Sequence, residues 1–359
     1  MNKYLILLCL IISACTESGR KKLKAEMLPN SRGEADEIIL VVDSTQWVDS
    51  QLGSELKKTF LTPMLGLPQD ESLFNVSKVS PKRLNSVLKS AKNMVFVMTL
   101  DSKTSDSKVL QKYFTDQSLN QIKRDTSIFM RLQKNLFARD QTALFLFSSS
   151  EDLLAKKINY NRSQIREIFE ASARSTIQAK LFNSTRKQLE KRVVENHNVS
   201  ITIPYGWERA RDVKNFFWLR LMDAQTEQSL FVYYEPYTDQ SVFNNIDKFR
   251  DKITRRFLYD GENSSVHIER QPQIPVFTER VNFNGNFAVE ARGLWRISDI
   301  SRGGPFVSYT IVDEKAGLIY YVEGYVDSPG TPKKNLIREL EAILSTFKTK
   351  SDLEKSTES

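Results

Sequence analysis

The chain has 359 residues, carries a formal charge of +8 at pH 7 and contains only two cysteines and two histidines. This scarcity excludes a disulfide scaffold, a multi-cysteine zinc site and an iron–sulfur cluster. With 27% charged and 40% hydrophobic residues, the composition is that of a globular protein with roughly two domains of about 150 residues each.

Residues 1–14 have the pattern of a secretory signal peptide. Lys3 precedes an apolar run over residues 4–12, which is too short for a membrane-spanning helix. The sequence Ile-Ser-Ala-Cys that ends at Cys15 resembles the lipobox of bacterial lipoproteins. That resemblance implies lipid on the Cys15 sulfur, cleavage before this residue and acylation, typically with palmitate, of the new N terminus. An ordinary secretory signal, in which Cys15 is incidental, is the alternative.

Residues 15–36 are polar and predict a lipidated, flexible tether. A basic cluster at residues 20–24 either contacts anionic head groups or is solvated linker. Because Cys9 leaves with the signal peptide and Cys15 carries lipid, we expect the mature body to have no thiol.

Residues 37–160 predict an α/β module in which helices pack on a sheet. Near-continuous β-formers indicate central strands covered on both faces, and they occupy residues 38–42, 94–100 and 142–147. Helical spacing between the strands predicts a helix along Leu52, Leu56 and Phe60, and another that begins at Ser80-Pro81. Residues 128–138 predict a further helix.

Residues 161–196 predict one long connecting helix without Pro or Gly, or two helices with a break near Asn183-Ser184. Its basic run over residues 186–192 is most simply a solvated helix face. The other basic residues form no stripe with interleaved aromatics, so we expect no nucleic-acid partner.

Residues 197–348 predict an α+β module, an antiparallel sheet covered by helices. Strands are expected at residues 199–203, 216–222, 230–235, 287–297, 306–312 and 318–326. Helices are expected along Ile246 to Phe257 and after Thr331-Pro332. The polar residues 349–359 predict a disordered tail.

Two resemblances extend beyond the signal sequence. The opening at residues 199–207 and the close at residues 343–347 make the C-terminal half similar to the photosystem II extrinsic P-subunit module. The stretches at residues 66–69, 293–296 and 303–309 resemble an uncharacterised family of Bacteroidetes lipoproteins, classed as a domain of unknown function. This resemblance implies a cell-envelope location and a shared fold, and it supplies no activity. An apolar residue would be expected at Arg302.

The Gly303-Gly304-Pro305 sequence joins two predicted strands. It indicates either a turn that needs positive φ at glycine, or a loop that presents side chains to a ligand or partner. The candidate loop residues are Trp295, Arg296, Arg302, Gly303, Gly304 and Phe306.

No motif predicts a catalytic residue, a metal or a cofactor. His197 and His267 lack a neighbouring cluster of carboxylates, and there is no nucleophile elbow, P-loop or dinucleotide fingerprint. Four carboxylates lie on or beside paired strands, Glu290, Asp313, Glu323 and Asp327. They either form a glycosidase-type pair or make cross-strand salt bridges with Arg292 or Arg296.

The sequence therefore predicts a membrane-anchored lipoprotein of the envelope that binds or scaffolds an envelope protein or glycan without catalysis. Thr16 after Cys15, in place of aspartate, favours the outer membrane, and the basic residues that follow favour its periplasmic face. An envelope hydrolase that acts on glycan or peptide through the C-terminal carboxylates is the alternative. A receptor for a small ligand is a third reading.

Overall fold

The computed structural model describes residues 27–258 and 266–358, so the signal peptide, Cys15 and the basic cluster of the tether lie outside the described residues. The chain forms two compact units. The N-terminal unit comprises the described residues up to Thr62 together with Ser72–Ala173, and the C-terminal unit comprises Pro63–Glu71 and the residues from Arg174 onward.

The N-terminal unit is an α/β sandwich, as predicted. Its strands are β1 (Glu37–Val41), β2 (Asn75–Val79), β3 (Asn93–Thr99), β4 (Met130–Lys134) and β5 (Thr142–Ser148). Its helices are α1 (Ser44–Val48), α2 (Gln51–Phe60), α3 (Ser86–Lys89), α4 (Ser105–Gln111), α5 (Asp116–Arg124), α6 (Glu151–Tyr160) and the first part of α7 (Arg162–Leu181), with a 3-10 turn at Pro81–Arg83.

The sheet has the order β2-β1-β3-β5-β4, and only β4 is antiparallel to its neighbour. Both faces of the central strands are buried. In β3, for example, Val95 and Val97 join the core beside α2 and α6, whereas Phe96 and Met98 join the core beside α4. Burial on both faces explains why these strands are apolar at every position.

Three predictions for this unit need correction. The helix predicted to begin at Ser80-Pro81 is a 3-10 turn, and a separate short helix, α3, starts only at Ser86 with Asn85 as its N-cap. Residues 128–138 are not a helix, because Met130–Lys134 form the edge strand β4 and pair with β5. The connection to β5 is a tight loop in which Asn135 and Asp140 have positive φ. The tether was predicted to extend to residue 36, whereas the backbone is already fixed near Arg32, whose N–H donates to Ser90 O at 2.8 Å.

The long helical region is two helices. Helix α7 ends at Leu181 and α8 (Lys187–His197) begins after five intervening residues, so the break lies at the predicted Asn183-Ser184. The division between the two units falls within α7. Among the described residues, no helix has the length and apolarity that a membrane span requires.

The C-terminal unit is an antiparallel sheet covered by helices, as predicted. Its strands are β6 (Glu208–Val213), β7 (Phe216–Met222), β8 (Glu227–Pro236), β9 (Ile268–Arg270), β10 (Phe277–Phe283), β11 (Asn286–Ile297), β12 (Gly303–Asp313) and β13 (Leu318–Asp327). Its further helices are α9 (Ile246–Phe257), α10 (Lys334–Leu344) and α11 (Lys350–Glu358), with a 3-10 turn at Gln240–Asn244.

The strand order is β10-β11-β12-β13-β8-β7-β6, and β9 pairs with the end of β11. Helix α9 packs on one face through Phe249, Ile253 and Phe257. Helix α10 packs on the other face, where Gly324 of β13 leaves room for Leu340. The amides of Lys333 and Lys334 donate to the carboxylate of Glu71 and so cap α10.

Two predicted boundaries of this unit differ from the structure. Residues 199–203 are largely buried, but only Ser200 forms a bridge, with Lys348, so they are not a strand. The predicted disordered tail contains helix α11. Thr349 and Asp352 form a reciprocal capping box at its start, which satisfies the first amides of the helix.

Candidate functional site

The predicted loop residues lie at one end of the β11–β12 hairpin. Trp295 pairs with Gly304 and Arg296 pairs with Gly303. Trp295 is buried and its indole N–H donates to Val326 O at 3.1 Å. Phe306 is also buried, under the guanidinium of Arg250 at 4.2 Å from its ring centre. Trp295 and Phe306 therefore belong to the core, and neither is presented to solvent.

The two glycines are needed for space. Neither Gly303 nor Gly304 has positive φ, so the prediction of a turn that needs positive φ at glycine is wrong. A Cβ on Gly304 would overlap Val326 O, and a Cβ on Gly303 would lie 2.7 Å from Trp295 O. The chain turns earlier, where Ile300 has φ 66° and Asp299 accepts a hydrogen bond from the Ser301 amide.

Arg302 is held in an ion-pair cluster. Its guanidinium contacts Asp327 and Glu227, each at 2.5 Å, and Glu227 also accepts from Arg220 at 2.8 Å. The side chain of Arg302 is 37% exposed, which explains why a charged residue is accepted where an apolar one was expected. Arg296 is similarly engaged with Glu269 at 2.9 Å. Both arginines are thus paired within the protein.

The cluster shifts a carboxyl titration. Burial by itself raises the pKa of Glu227, but hydrogen bonds from Arg220 and Arg302 outweigh it and hold this pKa below its usual value. A carboxyl with a lowered folded-state pKa contributes stability that is present above its unfolded pKa and is lost as the pH falls through the folded one.

We therefore expect Glu227→Gln to lower the free energy of unfolding by about 1–3 kcal/mol near neutral pH, and this deficit should shrink on the acid side of about pH 4.5. Urea unfolding of both proteins between neutral pH and about pH 3 measures the difference. The exposed Glu314→Gln provides the control with little deficit at any pH. A Glu227→Gln deficit that stays constant down to pH 3 would contradict the shifted titration.

A small cavity lies beside this cluster. Its walls include Trp218, Trp295, Tyr325, Leu258, Ile268 and Arg302, and its volume is about 30 Å³. A space of this size accommodates one or two water molecules, whereas small-molecule pockets enclose about 300–1,000 Å³. The predicted loop thus surrounds a solvent-sized cavity and has no room for an organic ligand.

The four candidate carboxylates are each engaged. Glu323 contacts Arg250 at 2.7 Å, Glu290 contacts Arg292 at 2.5 Å, and Asp327 contacts Arg302. Asp313 accepts from the amides of Ala316 and Ser351. Glu290 does form an ion pair with Arg292, but the two residues lie on the same strand, so the predicted cross-strand pairing is wrong for Glu290. Each of the four carboxylates is thus held by donors of the protein itself. Burial nonetheless raises the pKa of Glu323 above its usual value, because desolvation outweighs its contacts with Arg250 and Tyr321.

The two histidines also have protein partners. The buried His197 lies 2.8 Å from Asp212 and 3.3 Å from the hydroxyl of Tyr234, and His267 lies 3.3 Å from Glu269. In the described parts of the chain, no group of three or more His, Cys, Asp or Glu residues could hold a metal ion.

A groove at the start of α8 is the feature that the sequence did not indicate. It has a volume of about 640 Å³, and its walls include Arg186, Lys187, Arg192, Tyr205 and Arg209. The basic run was interpreted as a solvated helix face, but Tyr205 and Arg209 come from a later segment and make the surface concave. The basic run over residues 186–192 is visible in the sequence. The contact that brings Tyr205 and Arg209 beside this run depends on the fold and could not be predicted from the sequence.

Both parts of the chain match families without an assigned role. Residues 186–346 match Domain of unknown function (DUF4837), and residues 31–182 match Domain of unknown function (DUF8532). The prediction of an uncharacterised domain family is confirmed at this level. A search of curated proteins finds no match.

Solved structures give only distant likenesses. The Saccharomyces cerevisiae Ran-binding protein Mog1p is 12% identical, with a TM-score of 0.29 over 43% of this chain and 90% of that chain. Human StAR-related lipid transfer protein 5 is 10% identical, with a TM-score of 0.22 over 52% of this chain and 99% of that chain. TM-scores this low carry no argument about fold or function.

Proposed function

We propose that the protein is a lipid-anchored lipoprotein of the cell envelope, whose body binds an envelope component without catalysis. The lipobox-like sequence that ends at Cys15, directly behind a short apolar run, carries the proposal. One saturated chain gives only reversible binding, with an association constant on the order of 10⁴ M⁻¹, so the three chains of a mature lipoprotein hold it permanently. The proposal includes kinship with Bacteroidetes lipoproteins and with the photosystem II extrinsic P-subunit module.

A binding role is favoured over the alternative of an envelope hydrolase. Hydrolysis by a carboxylate pair needs one carboxyl that stays protonated beside a second that is free to attack or to activate water. Glu290, Glu323 and Asp327 are each neutralised by an arginine, and Asp313 is held by backbone amides. Breaking these contacts would leave buried charges unpaired, so the carboxylates serve the fold.

The anchor is tested by Cys15→Ala with Cys9→Ala as the matched control. Both variants lose one thiol, but Cys9 lies within the predicted signal peptide and Cys15 is the proposed lipid acceptor. We expect Cys15→Ala to lose incorporation of labelled palmitate and to leave the membrane fraction, whereas Cys9→Ala should behave as the wild type. Full membrane retention of unlabelled Cys15→Ala would contradict the proposal.

The membrane is identified by separating inner and outer membranes on a density gradient. We propose the outer membrane because Thr16 and not aspartate follows the lipidated cysteine, and we propose its periplasmic face because the residues that follow are mainly basic and not acidic. Protection from protease in intact cells, with digestion after the outer membrane is opened, is the expected result. Digestion in intact cells would instead place the body on the cell surface.

A further inference from the structure

The groove at the start of α8 has fixed walls. Residues 203–205 run beside residues 184–186, where the Arg186 N–H donates to Ile203 O at 2.8 Å and the Tyr205 N–H donates to Ser184 O at 3.0 Å. These backbone contacts place the start of the helix beside the segment that carries Tyr205. The groove is therefore built by the fold and does not depend on the conformation of one flexible chain.

Its charge is positive and incompletely balanced. Four cations line it, Arg186, Lys187, Arg192 and Arg209, and no carboxylate is among the lining residues. Lys187 contacts Glu190 at 3.1 Å and Arg209 contacts Asp212 at 3.6 Å, both near solvent. Within the described residues, Arg186 and Arg192 make no ion pair. Like charges held in a concave surface focus a positive potential, which favours an anionic ligand.

Guanidinium groups specify the kind of anion. Their planar forks match the oxygens of phosphate and carboxylate, so two free arginines favour a phosphate-bearing ligand over a simple halide. Other walls of the groove are neutral and polar, since Ser184, Thr185 and Gln188 line it as well. Such groups donate to and accept from hydroxyls.

The remaining wall is aromatic. Tyr205 is 72% exposed, although an aromatic ring gains most from burial. A ring left open beside hydrogen-bonding groups provides a stacking surface for the apolar face of a sugar. The volume of about 640 Å³ lies within the range of about 300–1,000 Å³ that is typical of small-ligand sites.

We propose that this groove binds a phosphorylated ring polyol, that is a sugar or an inositol, either free or as the head group of a lipid. Arg186 and Arg192 would contact the phosphate, Tyr205 would stack on the sugar ring, and the polar side chains would contact its hydroxyls. This assignment rests on the proposed binding role of the body and not on the lipid at Cys15. Membrane fractionation therefore tests the anchor, and ligand titration tests the groove.

The test is calorimetric titration of the full-length protein in a neutral detergent. The probes are glucose 6-phosphate and a short-chain phosphatidylinositol, with glucose and inorganic phosphate as comparisons. We expect at least one of the two phosphorylated probes to bind at least tenfold more tightly than either comparison. Tighter binding of glucose 6-phosphate would identify a free ligand, and tighter binding of phosphatidylinositol would identify a lipid head group.

The variants separate the groove from general charge. Arg186→Ala and Arg192→Ala should each weaken binding about 10-fold, as expected for loss of one charge-assisted contact. Lys191→Ala removes the same charge from the same helix outside the groove, and it should bind as the wild type does. Tyr205→Phe should retain affinity, and Tyr205→Ala should lose about 10-fold.

Three results would overturn the assignment. They are absence of binding by both phosphorylated probes, equal binding of inorganic phosphate, and equal losses for Lys191→Ala and Arg192→Ala. Circular dichroism of each variant shows whether it is folded, and these exposed substitutions should leave the spectrum unchanged.

Discussion

We expect Glu323→Ala to lower the free energy of unfolding of the C-terminal unit by about 3–5 kcal/mol. Glu323 and Arg250 are fully buried partners joined by two hydrogen bonds, of 2.8 and 2.7 Å. The hydroxyl of Tyr321 donates to the same carboxylate at 2.6 Å. Because arginine does not deprotonate in a protein, removal of Glu323 leaves a buried charge without its partner.

A double variant separates the cost of an unpaired charge from the value of the pair. Arg250→Met combined with Glu323→Leu replaces both ions by apolar side chains, and we expect it to recover most of the stability lost in Glu323→Ala. Glu195→Ala breaks an exposed pair with Lys191 and should cost less than about 1 kcal/mol.

Tryptophan fluorescence during urea unfolding provides the measurement, since three of the four tryptophans, Trp207, Trp218 and Trp295, lie in the C-terminal unit. If Glu323→Ala lowers the free energy of unfolding no more than Glu195→Ala does, the buried pair of Arg250 and Glu323 does not stabilise the C-terminal unit. If the double variant is as unstable as Glu323→Ala, the loss comes from packing and not from the unpaired charge.

The sequence predicted elements wherever burial leaves a pattern in consecutive residues. Strands β1, β3 and β5 are apolar at nearly every position because helices cover both faces, so their existence was evident. Edge strands carry no such pattern. In β6 (Glu208–Val213) every residue is exposed or half-buried, and this strand was missed. Edge strand β4 was assigned to a helix for the same reason, since its pairing with β5 is a tertiary contact.

The candidate site was less predictable because its partners are distant along the chain. The two strands of the hairpin were predicted, but the turn was placed at Gly303-Gly304-Pro305, which belongs to β12. The partners of Arg302, Glu227 and Asp327, lie 75 and 25 residues away. Without the positions of these partners, the sequence does not distinguish an arginine that is paired within the protein from one that binds a ligand. For the groove, the sequence shows the basic run of α8. It does not show the bridge between Thr185 and Pro204, which places Tyr205 beside that run.

Gly304 lies where the backbones of neighbouring strands approach each other closely, so its substitution is expected to cost much stability. Gly304 pairs with Trp295 on the neighbouring strand, and an added Cβ would overlap Val326 O. That oxygen is also the acceptor for the Trp295 indole N–H. A side chain at position 304 therefore both overpacks the sheet and displaces a buried hydrogen-bond acceptor.

We expect Gly304→Ala to lower the free energy of unfolding by about 3 kcal/mol, since overpacking costs about 1–3 kcal/mol and a lost hydrogen bond adds about 1 kcal/mol. Gly317→Ala is the control. Gly317 has φ 64°, but the space that an added methyl group would occupy is open, so its substitution should cost only about 1 kcal/mol of backbone strain.

The two glycine variants thus distinguish the two reasons for a glycine. Urea unfolding gives both free energies, and the near-ultraviolet circular dichroism of Trp295 should change in Gly304→Ala alone because only that substitution disturbs its indole contact. Equal costs for the two substitutions, with an unchanged tryptophan signal, would mean that the contact with Val326 O does not require a glycine at position 304. A larger cost with an altered tryptophan signal would mean that close approach of the β12 backbone to Val326 requires it.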